Sequence, residues 1–215
     1  MVSRQTLITT SMILALIIIG AGLGLYSTRY FQTSSAPETI PGLLWPDPKQ
    51  LTDFSLIDHN GKPFGKNELQ GHWSLLFFGY SYCPDVCPVT LSVMEQVQTR
   101  LQLQPGQPSL QSLFVTVDPQ RDTTSHLAKY ISYFNGKITA LGGSDEQINQ
   151  LTSQIGIAHI IGSVATDGSY TVQHTSSVFL LDPKARLVGI FSAPHSTDIL
   201  ISAITNISGF ISRQD

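Results

Sequence analysis

One unbroken apolar run constrains the fold of this chain more than any other feature. Residues Trp73–Gly79 (WSLLFFG) contain no charge, which is typical of a β-strand that is buried on both faces of a sheet. A second run of this kind follows at Leu110–Val117. Between the two runs, apolar residues recur at helical spacing, at Val89, Val93, Met94, Val97 and Leu101. The pattern therefore predicts a β-α-β unit with parallel strands at the centre of a domain.

The segments on either side of this unit predict a mixed α/β domain. Upstream, Leu51–Ile57 alternates and meets the turn residues Asn60 and Gly61, which favours a short hairpin that includes Phe64. Downstream we expect a helix from Thr123 or Thr124 through Phe134, a strand at Ile138–Leu141, a helix at Ser144–Ile155, a hairpin of Val178–Leu181 with Leu187–Phe191, and a helix from Ser196 or Thr197 through Ile211. This order predicts a thioredoxin-like three-layer sandwich with an N-terminal hairpin.

The N-terminal segment differs from the rest of the chain. Leu7–Tyr26 holds about 20 residues without a charge, enough to cross the ~30 Å hydrocarbon core of a bilayer. It is longer than the core of a cleaved signal peptide and ends at no small-residue cleavage site, and a mitochondrial transit peptide would be richer in arginine. We therefore expect one transmembrane anchor at residues 1–30, a proline-rich tether at 31–50 and a folded domain at 51–215. The arrangement favours a bacterial inner-membrane protein whose domain lies in the periplasm, with the mitochondrial inner membrane as the alternative.

The charge of the chain excludes some classes of partner. Arg4 and Arg29 are the charged residues of the first 31 positions, so the rest of the 12 basic and 15 acidic residues leave the remainder with a net charge of −5. A nucleic-acid-binding protein would carry a basic stripe, and the sequence has none. We expect no nucleic-acid partner.

The chain has two cysteines, Cys83 and Cys87, which follow the first buried strand at the expected start of its helix. Residues four apart on a helix lie about 6 Å apart along its axis, so the thiols can form a disulfide or converge on one metal ion. A structural disulfide closing so short a loop would stabilise little. At the helix start, we expect the positive end of the helix dipole to favour the Cys87 thiolate. The spacing is not the C-x-x-C of thioredoxins, and the residues before either cysteine lack the peroxiredoxin pattern.

Two thiolates suit a soft ion such as Cu(I), and a third ligand would have to be a nitrogen. Four histidines read as surface or capping residues: His59, His72, His126 and His195. His174 differs, because it precedes the strand Val178–Leu181 on the side where thioredoxin-like folds face their cysteine pair. The stretch before it, His159–Gln173, is long and contains glycines, which is typical of a mobile segment. By itself, position does not make His174 a ligand.

The motifs resemble those of the Sco/SenC family of membrane-tethered copper chaperones for cytochrome c oxidase assembly. The resemblance covers about Leu51–Phe210 and depends on three stretches: Phe78–Pro88 (FGYSYCPDVCP), Val117–Thr123 (VDPQRDT) and His174–Thr175. It implies a thioredoxin-like fold and one copper ion, Cu(I) or Cu(II), bound by Cys83, Cys87 and His174. It further implies delivery of copper to the binuclear centre of the copper-bearing oxidase subunit, with other copper chaperones as partners. Some members look like thiol-disulfide reductases that act on the cysteines of that centre.

This chain departs from the family pattern at two positions. Ser81 stands where the family usually has threonine, and Gln173 stands where it usually has aspartate. Loss of a carboxylate beside His174 removes one influence on the orientation and basicity of that ligand. Two further aspartates, Asp118 and Asp122, follow the second buried strand. We interpret them as a turn and helix cap in which Arg121 pairs with Asp118, and a role near the metal is the alternative.

Three hypotheses follow for the function. The first is a copper carrier that binds through Cys83, Cys87 and His174. The second is an enzyme in which Cys83 or Cys87 attacks a partner disulfide and the other cysteine resolves the mixed disulfide. The third is a copper or redox sensor on the membrane. The first two hypotheses differ in the role of His174, because copper binding needs it as a ligand whereas thiol exchange does not need it.

Overall fold

A computed structural model describes residues 12–24, 40–44 and 47–214, and the chain divides into two units at about residue 37. In the first unit, residues 12–24 are helical. Within the described ranges, no helix is both long and apolar enough to span a membrane. The predicted anchor at 1–30 extends beyond residues 12–24 at both ends, and those extensions, like residues 31–39 of the predicted tether, lie outside the described residues.

The second unit is a mixed α/β domain. Its strands are β1 (Lys49–Gln50), β2 (Ser55–Asp58), β3 (Pro63–Gly65), β4 (Trp73–Gly79), β5 (Leu110–Thr116), β6 (Ile138–Gly142), β7 (His159–Ile161), β8 (Val172–His174), β9 (Val178–Leu181) and β10 (Arg186–Phe191). Its helices are α1 (Val86–Gln102), α2 (Thr124–Ile131), α3 (Asp145–Ile155) and α4 (Thr197–Ile211). The elements predicted from the sequence are present in the predicted order, whereas β1, β7 and β8 were not predicted. The helix expected through Phe134 ends in a separate 3-10 turn at Ser132–Phe134.

Eight strands form the main sheet in the order β1-β10-β9-β4-β5-β6-β2-β3. Strands β4, β5 and β6 are parallel, and β9 pairs antiparallel with β4. All seven residues of β4 are buried, as its unbroken apolar run predicts. Helices α1 and α4 contact each other, while α2 contacts β6 and α3 contacts β2. The arrangement is the thioredoxin-like α/β architecture expected from the sequence.

The register of the two central strands positions the loops that follow them. Gly79 at the end of β4 lies opposite Thr116 at the end of β5. Because the strands are parallel, the segment after Gly79 and the segment after Thr116 begin side by side at the same edge of the sheet. The first segment carries both cysteines and the second carries Asp118 and Asp122. Two motifs separated by about thirty residues in sequence are therefore neighbours in space.

The end of the predicted tether belongs to the sheet. Lys49 and Gln50 form β1 against β10, the backbone of Leu43 bridges to Gly189, and the Leu44 amide donates to the Val188 carbonyl at 2.8 Å. Within the segment predicted as a tether at 31–50, residues 42–44 and 49–50 therefore pair with the sheet. Prolines occur between these residues, but the paired residues keep their N–H groups and can extend the edge of the sheet.

A second, two-stranded sheet was missed by the sequence interpretation. Strands β7 and β8 pair antiparallel in the stretch expected to be a mobile loop. Their connection contains Asp167 and Gly168, and the Gly168 amide donates to the Ala165 carbonyl at 3.0 Å. Asp-Gly is a common hairpin-turn signal, so this signal was available in the sequence. His174 is the last residue of β8.

Candidate metal centre

The two cysteines lie between the end of β4 and the first turn of α1. Cys83 is 8% exposed, Cys87 is fully buried, and both are free thiols. Gly79 makes room for them, because a Cβ atom at this position would lie 2.8 Å from the Cys87 sulfur. Asp85 occupies the N-cap position of α1, but its side chain makes no capping hydrogen bond. The helix therefore begins without a side-chain cap, next to a buried thiol.

A buried carboxylate holds the cysteine loop in place. Asp122 is 3% exposed and accepts hydrogen bonds from the Ser81 amide at 3.0 Å and from the Thr116 hydroxyl at 2.7 Å. The Ser81 hydroxyl also donates to it. The serine that replaces the family's usual threonine thus keeps the hydroxyl that the contact requires. The next residue, Thr123, caps α2. The turn-and-cap interpretation describes this segment in part, since Asp122 also supports the cysteine loop.

A second cluster joins the same segment to the β7–β8 hairpin. Asp118 is fully buried and accepts hydrogen bonds from Arg121 Nε at 2.5 Å and from the Tyr170 hydroxyl at 2.8 Å. The Arg121 guanidinium lies 3.6 Å from the centre of the Tyr170 ring and donates through Nη1 to the Tyr170 carbonyl at 3.0 Å. The expected Arg121–Asp118 pair is confirmed. Its contacts with Tyr170 attach the hairpin that carries His174 to the main domain.

The structure brings His174 to the cysteines. Its Nε2 lies 3.6 Å from the Cys87 sulfur, and its Nδ1 is 3.1 Å from the Thr175 carbonyl. A carbonyl oxygen can only accept, so Nδ1 carries the proton and Nε2 presents its lone pair toward the thiol. Phe77 and Tyr80 contact the imidazole edge-on, with ring centres 5.9 and 6.1 Å away. The imidazole is thereby oriented as a ligand requires.

Burial sets the protonation states of this pair. Burial raises the pKa of the Cys87 thiol well above its ordinary value, and the neighbouring Cys83 raises it further. Burial likewise lowers the pKa of His174. The expectation that the helix start would favour a Cys87 thiolate is wrong for the metal-free protein, because desolvation of the charge outweighs the dipole. Near neutral pH both groups are uncharged, and an ion that binds here must displace the Cys87 proton.

The donor set suits a soft metal ion, although it is not a closed cluster. Among the residues that the structure describes, no three His, Cys, Asp or Glu side chains converge closely enough to form a preassembled metal site. Two neighbouring thiols and one imidazole nitrogen in contact with a thiol are nevertheless the ligands that Cu(I) prefers. The residues fit copper by the chemistry of their donor atoms.

The remaining histidines have surroundings unlike those of His174, with one exception. His59 lies in the β2–β3 turn, His126 stacks on Tyr82, and His195 donates through Nε2 to the Ser176 carbonyl at 2.9 Å. His72 precedes β4, at the far end of that strand from the cysteines. The exception is His159, which lies directly opposite His174 in the β7–β8 sheet. Sequence reasoning missed this neighbour because it missed the hairpin.

A thioredoxin-like domain that presents a C-x-x-x-C dithiol and a histidine defines a narrow class of soft-metal and dithiol proteins. The SCO1/SenC family model matches residues 46–209. The chain belongs to the SCO1/SenC family.

Relatives and solved structures agree with this assignment. The chain is 37% identical over 152 residues to the mitochondrial SCO2 homolog of Bos taurus, covering 71% of this chain and 57% of the relative. It is 31% identical over 194 residues to a SCO2-like protein of Rickettsia prowazekii, covering 87% of this chain and 91% of that relative. The crystal structure of Arabidopsis thaliana ScoI with copper bound superposes with a TM-score of 0.69 at 28% identity, covering 76% of this chain and 98% of that structure. The chain spans about three fifths of the length of the mitochondrial curated relatives that it matches.

Proposed function

We propose that this protein binds one copper ion through Cys83, Cys87 and His174 and carries it as cargo. The observation that carries the proposal is the 3.6 Å contact between the Cys87 sulfur and His174 Nε2, with Cys83 beside them. The copper-bound structure of Arabidopsis thaliana ScoI supports it. The recipient is the binuclear copper centre of cytochrome c oxidase during assembly, and other copper chaperones supply the metal.

The carrier mechanism is ligand exchange at the two thiolates. Two thiolates and one neutral imidazole satisfy Cu(I), which accepts two or three soft donors. A recipient thiolate replaces one ligand of this protein at a time, so the ion stays coordinated throughout the transfer. His174 is the ligand on a separate hairpin, which allows it to leave without moving the cysteine loop.

Copper stoichiometry tests the proposed site. The full chain is purified in detergent, reduced, loaded with Cu(I) and dialysed against a competing chelator, alongside His174→Ala. We expect about one copper per chain in the wild type and a loss of at least tenfold in affinity for the variant. His72→Ala is the matched control, because this histidine is exposed and distant, and it retains wild-type binding. Absence of bound copper in the reduced wild-type chain would reject the carrier.

A thiol-disulfide oxidoreductase is the second candidate function. Two free thiols in mutual contact favour it. Cys83 attacks a partner disulfide, because it is 8% exposed whereas Cys87 is fully buried. Cys87 then displaces the partner's second thiol and loses its proton, which leaves a Cys83–Cys87 disulfide and a reduced partner. A thiol donor must reduce the pair again.

The two functions separate at His174. We expect His174→Ala to keep the rate at which the reduced dithiol reduces a disulfide probe within about twofold, while its copper affinity falls. If the variant lost disulfide reduction and kept copper, the assignment of His174 as a copper ligand would be wrong. A wild-type chain that reduces the probe but retains no copper would establish the oxidoreductase instead.

We also propose that residues 1–30 anchor the protein in the bacterial inner membrane, with the domain in the periplasm. The uncharged stretch at 7–26 supports the anchor, and the mitochondrial relatives make the mitochondrial inner membrane the alternative. Residues 31–41 then form the tether, because residues 42–44 and 49–50 pair with the sheet. A fusion of alkaline phosphatase to the C-terminus should be active only with residues 1–30 present, and an active fusion without them would contradict the anchor.

A further inference from the structure

The β7–β8 hairpin places a second histidine beside the proposed ligand. His159 and His174 are direct partners in the antiparallel register. The Thr175 amide donates to the Ala158 carbonyl at 3.3 Å, and the Gly162 amide donates to the Thr171 carbonyl at 2.8 Å. Hydrogen-bonded pairs alternate with non-hydrogen-bonded ones, so the His159–His174 pair is of the second kind. Such pairs have the closest side chains in a sheet, with Cα atoms about 4.5 Å apart.

Both imidazoles project from the same face of this hairpin. Directly opposed residues of a ladder share a face, and the other face carries Ile160 and Gln173, which are exposed. The face of His159 and His174 also carries Val172, which is 4% exposed. On this face the β8 residues pack on the domain and include the contact with Cys87, while Ile161 of β7 is 50% exposed. His159 is half-buried there and interacts electrostatically with His174.

We propose that His159 is a fourth copper ligand that selects Cu(II), joining Cys83, Cys87 and His174 when the bound ion is in that oxidation state. This inference rests on the proposed copper site. Cu(I) is satisfied by the two thiolates and one imidazole, whereas Cu(II) prefers four donors in a tetragonal arrangement and accepts imidazole readily. The two thiolates alone neutralise the double charge of Cu(II), so a neutral fourth ligand such as imidazole keeps the buried site uncharged.

The Gln173 side chain, next to His174, belongs to the exposed face of the hairpin and offers the site no donor. The imidazole of His159 lies across the strand from the same histidine and supplies a donor that Cu(II) binds well.

Loading each oxidation state separately tests the assignment. The full chain and His159→Phe receive one equivalent of Cu(I), or one equivalent of Cu(II) without oxygen, and Cu(II) is examined by electron paramagnetic resonance. We expect coupling to two nitrogens in the wild type and to one in the variant. We expect the Cu(II) affinity of His159→Phe to fall at least tenfold and its Cu(I) affinity to stay within threefold. His72→Phe is the matched control and keeps both nitrogens.

A second variant separates ligation from packing. His159→Ala leaves space at this position, and added imidazole should restore coupling to a second nitrogen. An unchanged Cu(II) spectrum in His159→Phe would overturn the inference. Equal losses for Cu(I) and Cu(II), without rescue by imidazole, would also overturn it and assign His159 a packing role. If the wild type retained neither ion, the copper site itself would fail, which is a different result from the loss of Cu(II) selectivity alone.

Discussion

Cys87 combines a reactive group with a position that suppresses its reactivity. It is fully buried against Gly79, and burial raises its pKa, so the metal-free protein keeps this thiol protonated near neutral pH. The neighbouring His174 is kept neutral by the same burial. In the metal-free protein, the neutral Cys87–His174 pair therefore carries no desolvated charge. Binding of copper supplies the positive charge that makes the buried thiolate stable.

We therefore expect copper affinity to depend on pH. Binding must release the Cys87 proton, so higher pH favours the bound state, and the apparent Cu(I) affinity should rise at least about tenfold per pH unit between pH 6 and 8. Competition against a chelator whose own protonation is known measures this slope. Cys87→Ser should bind more weakly and with a shallower slope. An affinity that is independent of pH would mean that Cys87 is not a ligand.

At the scale of elements, the site depends on a clasp between two segments that are not adjacent in sequence. Asp118, Arg121 and Tyr170 connect the loop after β5 to the hairpin that carries His174. Tyr170 contributes both a hydroxyl donor to Asp118 and a ring under the guanidinium. A hydrogen bond to a buried charge is worth about 1.5–3 kcal/mol. The clasp is therefore strong enough to hold the hairpin against the domain.

Removal of one Tyr170 contact should loosen the hairpin selectively. In Tyr170→Phe the ring remains and the hydroxyl is lost, so we expect faster hydrogen exchange of the β7–β8 amides and a copper affinity about three- to tenfold lower. Tyr133→Phe, at an exposed tyrosine, is the matched control and should change neither quantity. Disulfide reduction by the cysteines should be unaffected. A variant with normal exchange in the hairpin but weak copper binding would argue against positioning by the clasp.

Local sequence patterns predicted most of the helices and strands, whereas they could not predict contacts between residues far apart in the sequence. The buried strands, the helix predicted at Ser144–Ile155 and the final helix each carry a signal within a few residues, and the structure has all of them. The cysteine spacing likewise indicated a soft-metal or redox site. The clasp joins residues about fifty positions apart, and no local pattern reports such a pair. The β7–β8 hairpin was missed because the glycines of His159–Gln173 were interpreted as a sign of a mobile segment, although Asp167 and Gly168 form the turn of this hairpin.

At the scale of the whole molecule, the edge of the main sheet limits where the domain begins. Strand β10 would be the edge, but residues 42–44 and β1 cover it with backbone hydrogen bonds. Gly42 has a φ of +79°, and a Cβ atom there would lie 2.6 Å from the Ile190 carbonyl oxygen, so glycine allows this close approach. An uncovered edge strand exposes unpaired N–H and C=O groups and invites aggregation.

A fragment that starts at residue 51 should therefore be less stable than one that starts at residue 38. It loses a few hydrogen bonds worth about 0.5–1.5 kcal/mol each, which corresponds to a fall in Tm of about 5–15 °C for a domain of this size. Thermal unfolding and light scattering of the two fragments measure the difference. Equal Tm values and equal solubility would show that the covering segment adds nothing to the domain.

The different depths of the two thiols set an order for the ligand exchanges of the proposed copper transfer. Cys83 is 8% exposed at the rim and Cys87 is fully buried below it. In the proposed transfer, an arriving donor protein presents its ion to the outer sulfur first, and release along the same route breaks the bond to the inner sulfur before the bond to the outer one. Each transfer is then a series of exchanges of one metal–sulfur bond at a time. The acceptor approaches from the side of Cys83, and Cys87 regains its proton once the ion has left.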